Sequence, residues 1–177
     1  MLPISAKNDK ILLMNLIVVV DNKWGIGKNN NLLFRLKKDM AYFRETTTGK
    51  VVVMGAKTYA SFPNGALPNR VNVVLDDSGA SYPDALSVST VERLFEVLKA
   101  YPGDDIFVIG GASVYKLLLD RCKHAFVTKV AADGDATLFF PNLDELKNWK
   151  LTEISDDIQD GDYTIRFCKY VNSEKTL

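Results

Sequence analysis

Six short runs of apolar, mostly β-branched residues punctuate the chain: 14–20 (MNLIVVV), 51–54 (VVVM), 71–75 (VNVVL), 106–109 (IFVI), 124–130 (HAFVTKV) and 163–171 (YTIRFCKYV). Each is bounded by turn-forming residues and reads as a strand. Between the earlier runs, the spacing predicts helices over about 36–46, 57–61, 91–100 and 113–120. Strands such as VVVM and IFVI have no polar face, and strands alternating with helices pair in parallel, covered on both sides. The later strands follow one another with few helices between, which predicts an antiparallel edge. The expected class is therefore α/β: a single domain over residues 11–172, with the polar residues 1–10 as an N-terminal extension and 173–177 as a C-terminal tail.

One segment breaks its own pattern. In NNNLLFRLKKDMAYF, Leu36, Met40 and Phe43 recur at helical spacing and predict a buried stripe, yet Asp39 lies between them on the same side. An acid early in a helix is also what the helix dipole favours at a solvated surface. A carboxylate on an apolar face, however, must find donors or take up a proton, because burial disfavours its charged form. A flat ligand with two adjacent N–H groups, such as a 2-aminopyrimidine edge, suits it.

Composition narrows the classes of function. The chain has 177 residues, 47% of them hydrophobic and 25% charged, which is ordinary for a globular domain with a real core. Lys plus Arg equals Asp plus Glu at 22 each, so no global field draws nucleic acid or an anionic membrane. An anion site has to be made locally. Cys122 and Cys168 lie far apart in sequence and His124 is the single histidine, which argues against a structural zinc site and against Ser-His or Cys-His nucleophiles; no metal is expected. The run ILLMNLIVVV is too short to span a bilayer, lacks a small-residue cleavage site and flows into DNKWGIG, so it reads as a buried strand of a cytoplasmic protein.

Two strand-to-helix junctions offer such a local anion site. IFVIGGASVYKLLL passes through Gly110-Gly111, and VVVMGAKTYASF passes through Gly55 to Lys57 and Thr58. Glycine lets backbone approach a ligand, and a lysine in a first helical turn opposes the dipole unless an anion sits there. Two junctions of this kind at strand C-ends are where a dinucleotide pyrophosphate would bind, although a bare glycine pair serves a tight turn equally well. The loop Asp76-Asp77-Ser78-Gly79 after the third run reads either as a solvated turn or as the place where acids meet a ribose.

The residues LIVVVDNKWGIGKNNNL, LKKDMAYFRETTTGKVVVMGAKTY, LPNRVNVVL, IFVIGGASVY, VTKV and FFP, in this order, resemble the dihydrofolate reductase family from about Asn15 to Val171. The resemblance implies an eight-stranded, mostly parallel sheet with four helices and reduction of 7,8-dihydrofolate by hydride transfer from NADPH. It implies that Asp39 grips the pterin and assists protonation at N5, that Thr128 hydrogen-bonds the acid and the pterin, and that Leu32 and Phe34 belong to the catalytic surroundings. Val18, Val19, Met40, Phe43, Phe62 and Ile109 would border the substrate, and Arg70 would fork the carboxylate of its glutamate tail. For the cofactor it implies Val19, Ile26, Gly55, Ala56, Lys57, Thr58, Leu75, Asp76, Asp77, Ile109, Gly110, Gly111, Ala112, Ser113, Val114 and Tyr115. The partner implied is a small molecule, with neither nucleic acid nor membrane, and the chain is expected to be a monomer.

The chain departs from the family at three places. Leu33-Phe34 stands where the family has Pro-Trp, Ala56 where it has Arg, and Asp76-Asp77 where it has Ser or Thr with a basic neighbour. The last two remove a cation and add two anions at the expected 2'-phosphate position, which makes NADH use plausible. A same-fold pteridine or aminouracil reductase is an alternative, and Arg70 discriminates because a substrate without a glutamate tail gives it little to do. A catalytically weak folate- or dinucleotide-binding protein is another, raised by the indole missing at Phe34.

Overall fold

The structure is a computed structural model and describes residues 11–29 and 31–175. The expected extension at 1–10 and the last two residues of the expected tail lie outside the described residues; Ser173–Lys175 form a short 3-10 turn. The elements run β1 (Met14–Val20), β2 (Gly25–Gly27), α1 (Lys37–Thr47), β3 (Val51–Gly55), α2 (Ala56–Ala60), β4 (Val71–Leu75), β5 (Leu86–Val88) and α3 (Val91–Leu98). They continue through β6 (Ile106–Gly110), α4 (Ala112–Leu118), β7 (Cys122–Val130), β8 (Leu138–Phe139), β9 (Trp149–Ile154), β10 (Ile158–Asp160) and β11 (Tyr163–Asn172).

Eight strands lie side by side in the order β10-β11-β7-β1-β6-β3-β4-β5. The pairings from β7 through β5 are parallel and those of β11 are antiparallel, as the patterning predicts. A ninth strand, β9, shares the outer edge of β11: β10 pairs with its first residues and β9 with its last. Two short strands, β2 and β8, pair separately.

Side-chain alternation divides the sheet into two faces. Val51, Val53, Leu16 and Val18 turn to the larger core, which Leu94 and Leu98 of α3 and Val114 and Leu118 of α4 complete. Val52, Met54 and Val74 turn the other way, under Tyr59 of α2 and the following Phe62. Val130 and Ile165 form a third cluster with Leu36, Val19 and Phe34 at the start of α1. Both faces of β3 are covered, which is why VVVM has no polar position.

Candidate functional site

The carboxylate that broke the pattern lies in the first turn of α1. Leu36 occupies the N-cap in extended conformation and offers no side-chain acceptor. The acceptor comes instead from β10, where Asp160 Oδ2 takes hydrogen bonds from the amides of Lys38 at 2.9 Å and of Asp39 at 3.2 Å. A carboxylate is a good partner for these otherwise orphaned donors. Lys38 Nζ donates to the carbonyl of Gln159 at 2.7 Å and fastens the same hairpin. The Asp39 side chain reaches β7, where the buried hydroxyl of Thr128 donates to Oδ1 at 2.7 Å. Thr128 is in register with Val19 of β1 and with Phe167 of β11. Burial pushes the Asp39 carboxyl above its ordinary range, the Thr128 hydrogen bond opposes this, and the charge of Asp160 adds to it.

The expected buried stripe on α1 does not form. Met40 is 64% exposed, and within the helix only Thr47 is buried. Phe43 is half-buried, and the guanidinium of Arg70 lies 5.9 Å from its ring centroid. Arg70 is oriented by two hydrogen bonds, from Nε to Pro68 O at 3.0 Å and from Nη1 to Thr47 Oγ1 at 3.1 Å. Thr47 in turn donates to Phe43 O, so the arginine and the helix hold each other. Burial, and then the neighbouring Arg44, pull the Arg70 guanidinium below its ordinary value. Phe62 and Ile109 each pack against the Val52, Met54 and Val74 cluster of β3 and β4. Leu32 is 80% exposed.

The glycine junctions are neighbours. In the parallel register Met54 pairs with Gly110 and Gly55 with Leu75, so β6, β3 and β4 end side by side. A Cβ on Gly55 would stand 3.1 Å from Val114 Cγ2, and one on Gly111 would stand 3.5 Å from Thr58 Oγ1. Gly110 has φ +129, a conformation that side chains rarely adopt. Bare backbone and the Thr58 hydroxyl therefore lie together where these strands end; Lys57 and Ser113 in the following first turns are exposed, and Ala56 and Ala112 are half-buried. The side chains of Val18, Val114 and Tyr115 lie in the main core, so these residues present backbone rather than side chain at the strand ends. The Tyr115 hydroxyl donates to Ile17 O at 2.7 Å. Asp76 accepts from the Tyr82 hydroxyl at 2.6 Å and from the Ser78 amide at 3.0 Å, which hold its carboxyl below the ordinary range; Asp77 is exposed.

A sequence profile of the dihydrofolate reductase family matches residues 13–172. The chain belongs to the dihydrofolate reductase family. It is 34% identical to the dihydrofolate reductase of Bacillus subtilis over 170 residues, covering 92% of this chain and 98% of that protein. It is 30% identical to that of Schistosoma mansoni over 184 residues, covering 93% and 99%. Among solved structures, a dihydrofolate reductase from Enterococcus faecalis complexed with NADP(H) and RAB-propyl superimposes with a TM-score of 0.80 at 25% identity, over 91% of this chain and 96% of that one. The fold of the described residues, a mixed sheet with eight strands in line and four helices, is that of a dihydrofolate reductase.

Three further residues around the site carry no local signal in the sequence. Asp160 was hidden in an Asp-Gly turn that announces a hairpin and nothing more. Asp21 is buried, and its carboxylate accepts from the amides of Lys23, Gly25 and Gly134, pinning the loop that carries Ile26 to the 131–137 segment. Gly25 is obligatory there, since a Cβ would meet Ala136 Cβ at 2.3 Å. Arg44, five positions after Asp39 on α1, is a second cation beside Arg70. At the family departure Leu33-Phe34, the Phe34 ring meets Tyr163 of β11 edge-on at 4.8 Å, with Gly134 against it. No helix among the described residues is long and apolar enough to cross a membrane.

Proposed function

We propose that the chain reduces 7,8-dihydrofolate to tetrahydrofolate with NADPH, and that Asp39 both holds the pterin and manages the proton that ends on N5. The observation that carries this is the Asp39–Thr128 pair, a carboxyl in apolar surroundings with its proton affinity raised and one oxygen already held. The second oxygen and the aromatic wall of Phe43 suit the 2-amino edge of a pterin. Arg70, pre-oriented by Pro68 O and Thr47, keeps further N–H groups for the glutamate tail of folate. Leu32 and Phe34 cover the ring from the loop side, while Val19 and Ile109 line the floor.

The paired junctions suit a dinucleotide, because Gly55, Gly110 and Gly111 put no side chain over the strand ends and Thr58 lies against two of these glycines, with Lys57 in the same first turn. When bound, the reduced nicotinamide supplies the hydride that adds to C6. The chain's own work is to stack the two rings, exclude water and hold the proton at Asp39 Oδ2 until N5 takes it up through a water.

The acidic loop supports a weakened preference for NADPH over NADH, since Asp76 is held ionised and Ala56 offers no cation. Comparing kcat/KM for the two cofactors tests this; a strong NADPH preference would overturn it. The main proposal is tested by loss of the reduced cofactor's absorbance with dihydrofolate, in wild type and Asp39→Asn. Turnover by wild type and its collapse in the variant near neutral pH is the expected result. Equal rates would remove Asp39 from its role. We infer that the enzyme acts as a cytoplasmic monomer.

A further inference from the structure

Asp160 ends β10, and the chain turns at Gly161, φ +61, to pair Asp160 with Tyr163. It is 5% exposed, yet among the described residues no ion pair involves it. A carboxylate withdrawn from water normally finds a cation. Lys38, from whose amide Asp160 accepts, donates its ammonium to Gln159 O instead. Two consecutive α1 amides satisfy Asp160, and the second belongs to Asp39 itself.

We propose that Asp160 is a positioning residue for Asp39: it fixes the backbone from which Asp39 reaches Thr128, and it sets a second negative charge against that acid. The inference rests on the role of Asp39 given above. Burial is the larger cause that raises Asp39, and Asp160 contributes in the same direction, against the Thr128 hydrogen bond. The other groups around Asp39 do not cancel this charge. Thr128 of β7 is neutral, and Tyr42 of α1 and Tyr115 of α4 are both pushed up by burial and stay protonated. Lys129 of β7 is bound to Asp144 and Arg166 of β11 to Asp157. The hairpin therefore acts on the proton of the acid without touching substrate.

Asp160→Asn separates the two functions, because its amide oxygen still accepts from the helix while the charge is gone. The readout is kcat against pH for the full chain with dihydrofolate and NADPH, beside a urea melt. The expected result is an alkaline limb displaced to lower pH, with a several-fold loss of rate above neutrality that vanishes in acid. Asp160→Ser, a second neutral cap, should do the same. A limb that coincides with wild type in either folded variant overturns the proposal, and so does loss of folding in both, which would assign Asp160 to the fold alone. Asp39→Asn is the control: if it keeps the wild-type limb, that limb is not Asp39's and the proposed function fails, whatever Asp160 does.

Discussion

Thr128→Val removes one hydroxyl and leaves a side chain of nearly the same shape in the middle of β7. The lost interaction is the 2.7 Å hydrogen bond to Asp39 Oδ1. A hydrogen bond to an ionised group contributes roughly 1.5–3 kcal/mol. Because the Asp39 side chain is only part-buried, the lower half of that range applies, a factor of about 10 against the ionised carboxylate. The protonated acid loses much less, so the proton is held to a higher pH. The expected outcome is an alkaline limb of kcat displaced upward, the reverse of Asp160→Asn. Stability should follow the same sign. A carboxyl raised above its unfolded value disfavours folding as pH rises through its folded value, so the deficit of Thr128→Val in a urea melt should be larger in mild alkali than below the ordinary carboxylate range. Thr128→Ser keeps the donor and should match wild type. A limb that stays in place or moves down in Thr128→Val, or a Thr128→Ser enzyme that behaves like the valine variant, would refute the assignment of this bond.

Asp39→Asn should lose activity and yet gain stability at neutral pH, because a raised carboxyl costs the folded state once ionised; urea melts at neutral and acid pH should show the gain closing as pH falls. An unchanged stability at neutral pH would mean that Asp39 is not raised. Arg70→Lys should raise KM for dihydrofolate about 10-fold or more with little change in kcat, since the planar fork and the bonds to Pro68 and Thr47 go together; a fall in kcat at constant KM would contradict a purely binding role. Tyr115→Phe leaves the Ile17 carbonyl without the hydroxyl donor and should lower the urea midpoint by an amount equivalent to about 1–3 kcal/mol. A midpoint unchanged at constant slope would show that another donor replaces it.

The sequence by itself determined the strands and helices that carry the sheet. VVVM, VNVVL and IFVI are apolar at every or nearly every position because both faces of a parallel strand are covered, and that requirement is written locally. The glycines at 55, 110 and 111 were visible for the same reason, since a junction that lets backbone approach a ligand has to omit side chains there. Short strands such as Gly25–Gly27, Leu86–Val88 and Ile158–Asp160 were not visible, because three residues cannot establish a period. Asp39 was legible as an anomaly, and Met40, which has the spacing of a core residue, is exposed instead. Periodicity reports which residues share a side of a helix. What that side faces is decided by elements elsewhere in the chain. The Thr128–Asp39 bond was implied by the family resemblance, whereas the tertiary structure alone brought Asp160 across more than a hundred positions to cap α1 and closed the carboxylate of Asp76 onto Tyr82. Burial, hydrogen bonds and charge interactions depend on what is near in space, so the proton affinity of Asp39 follows first from what buries it, then from Thr128 and Asp160, rather than from the residues that flank it in the chain.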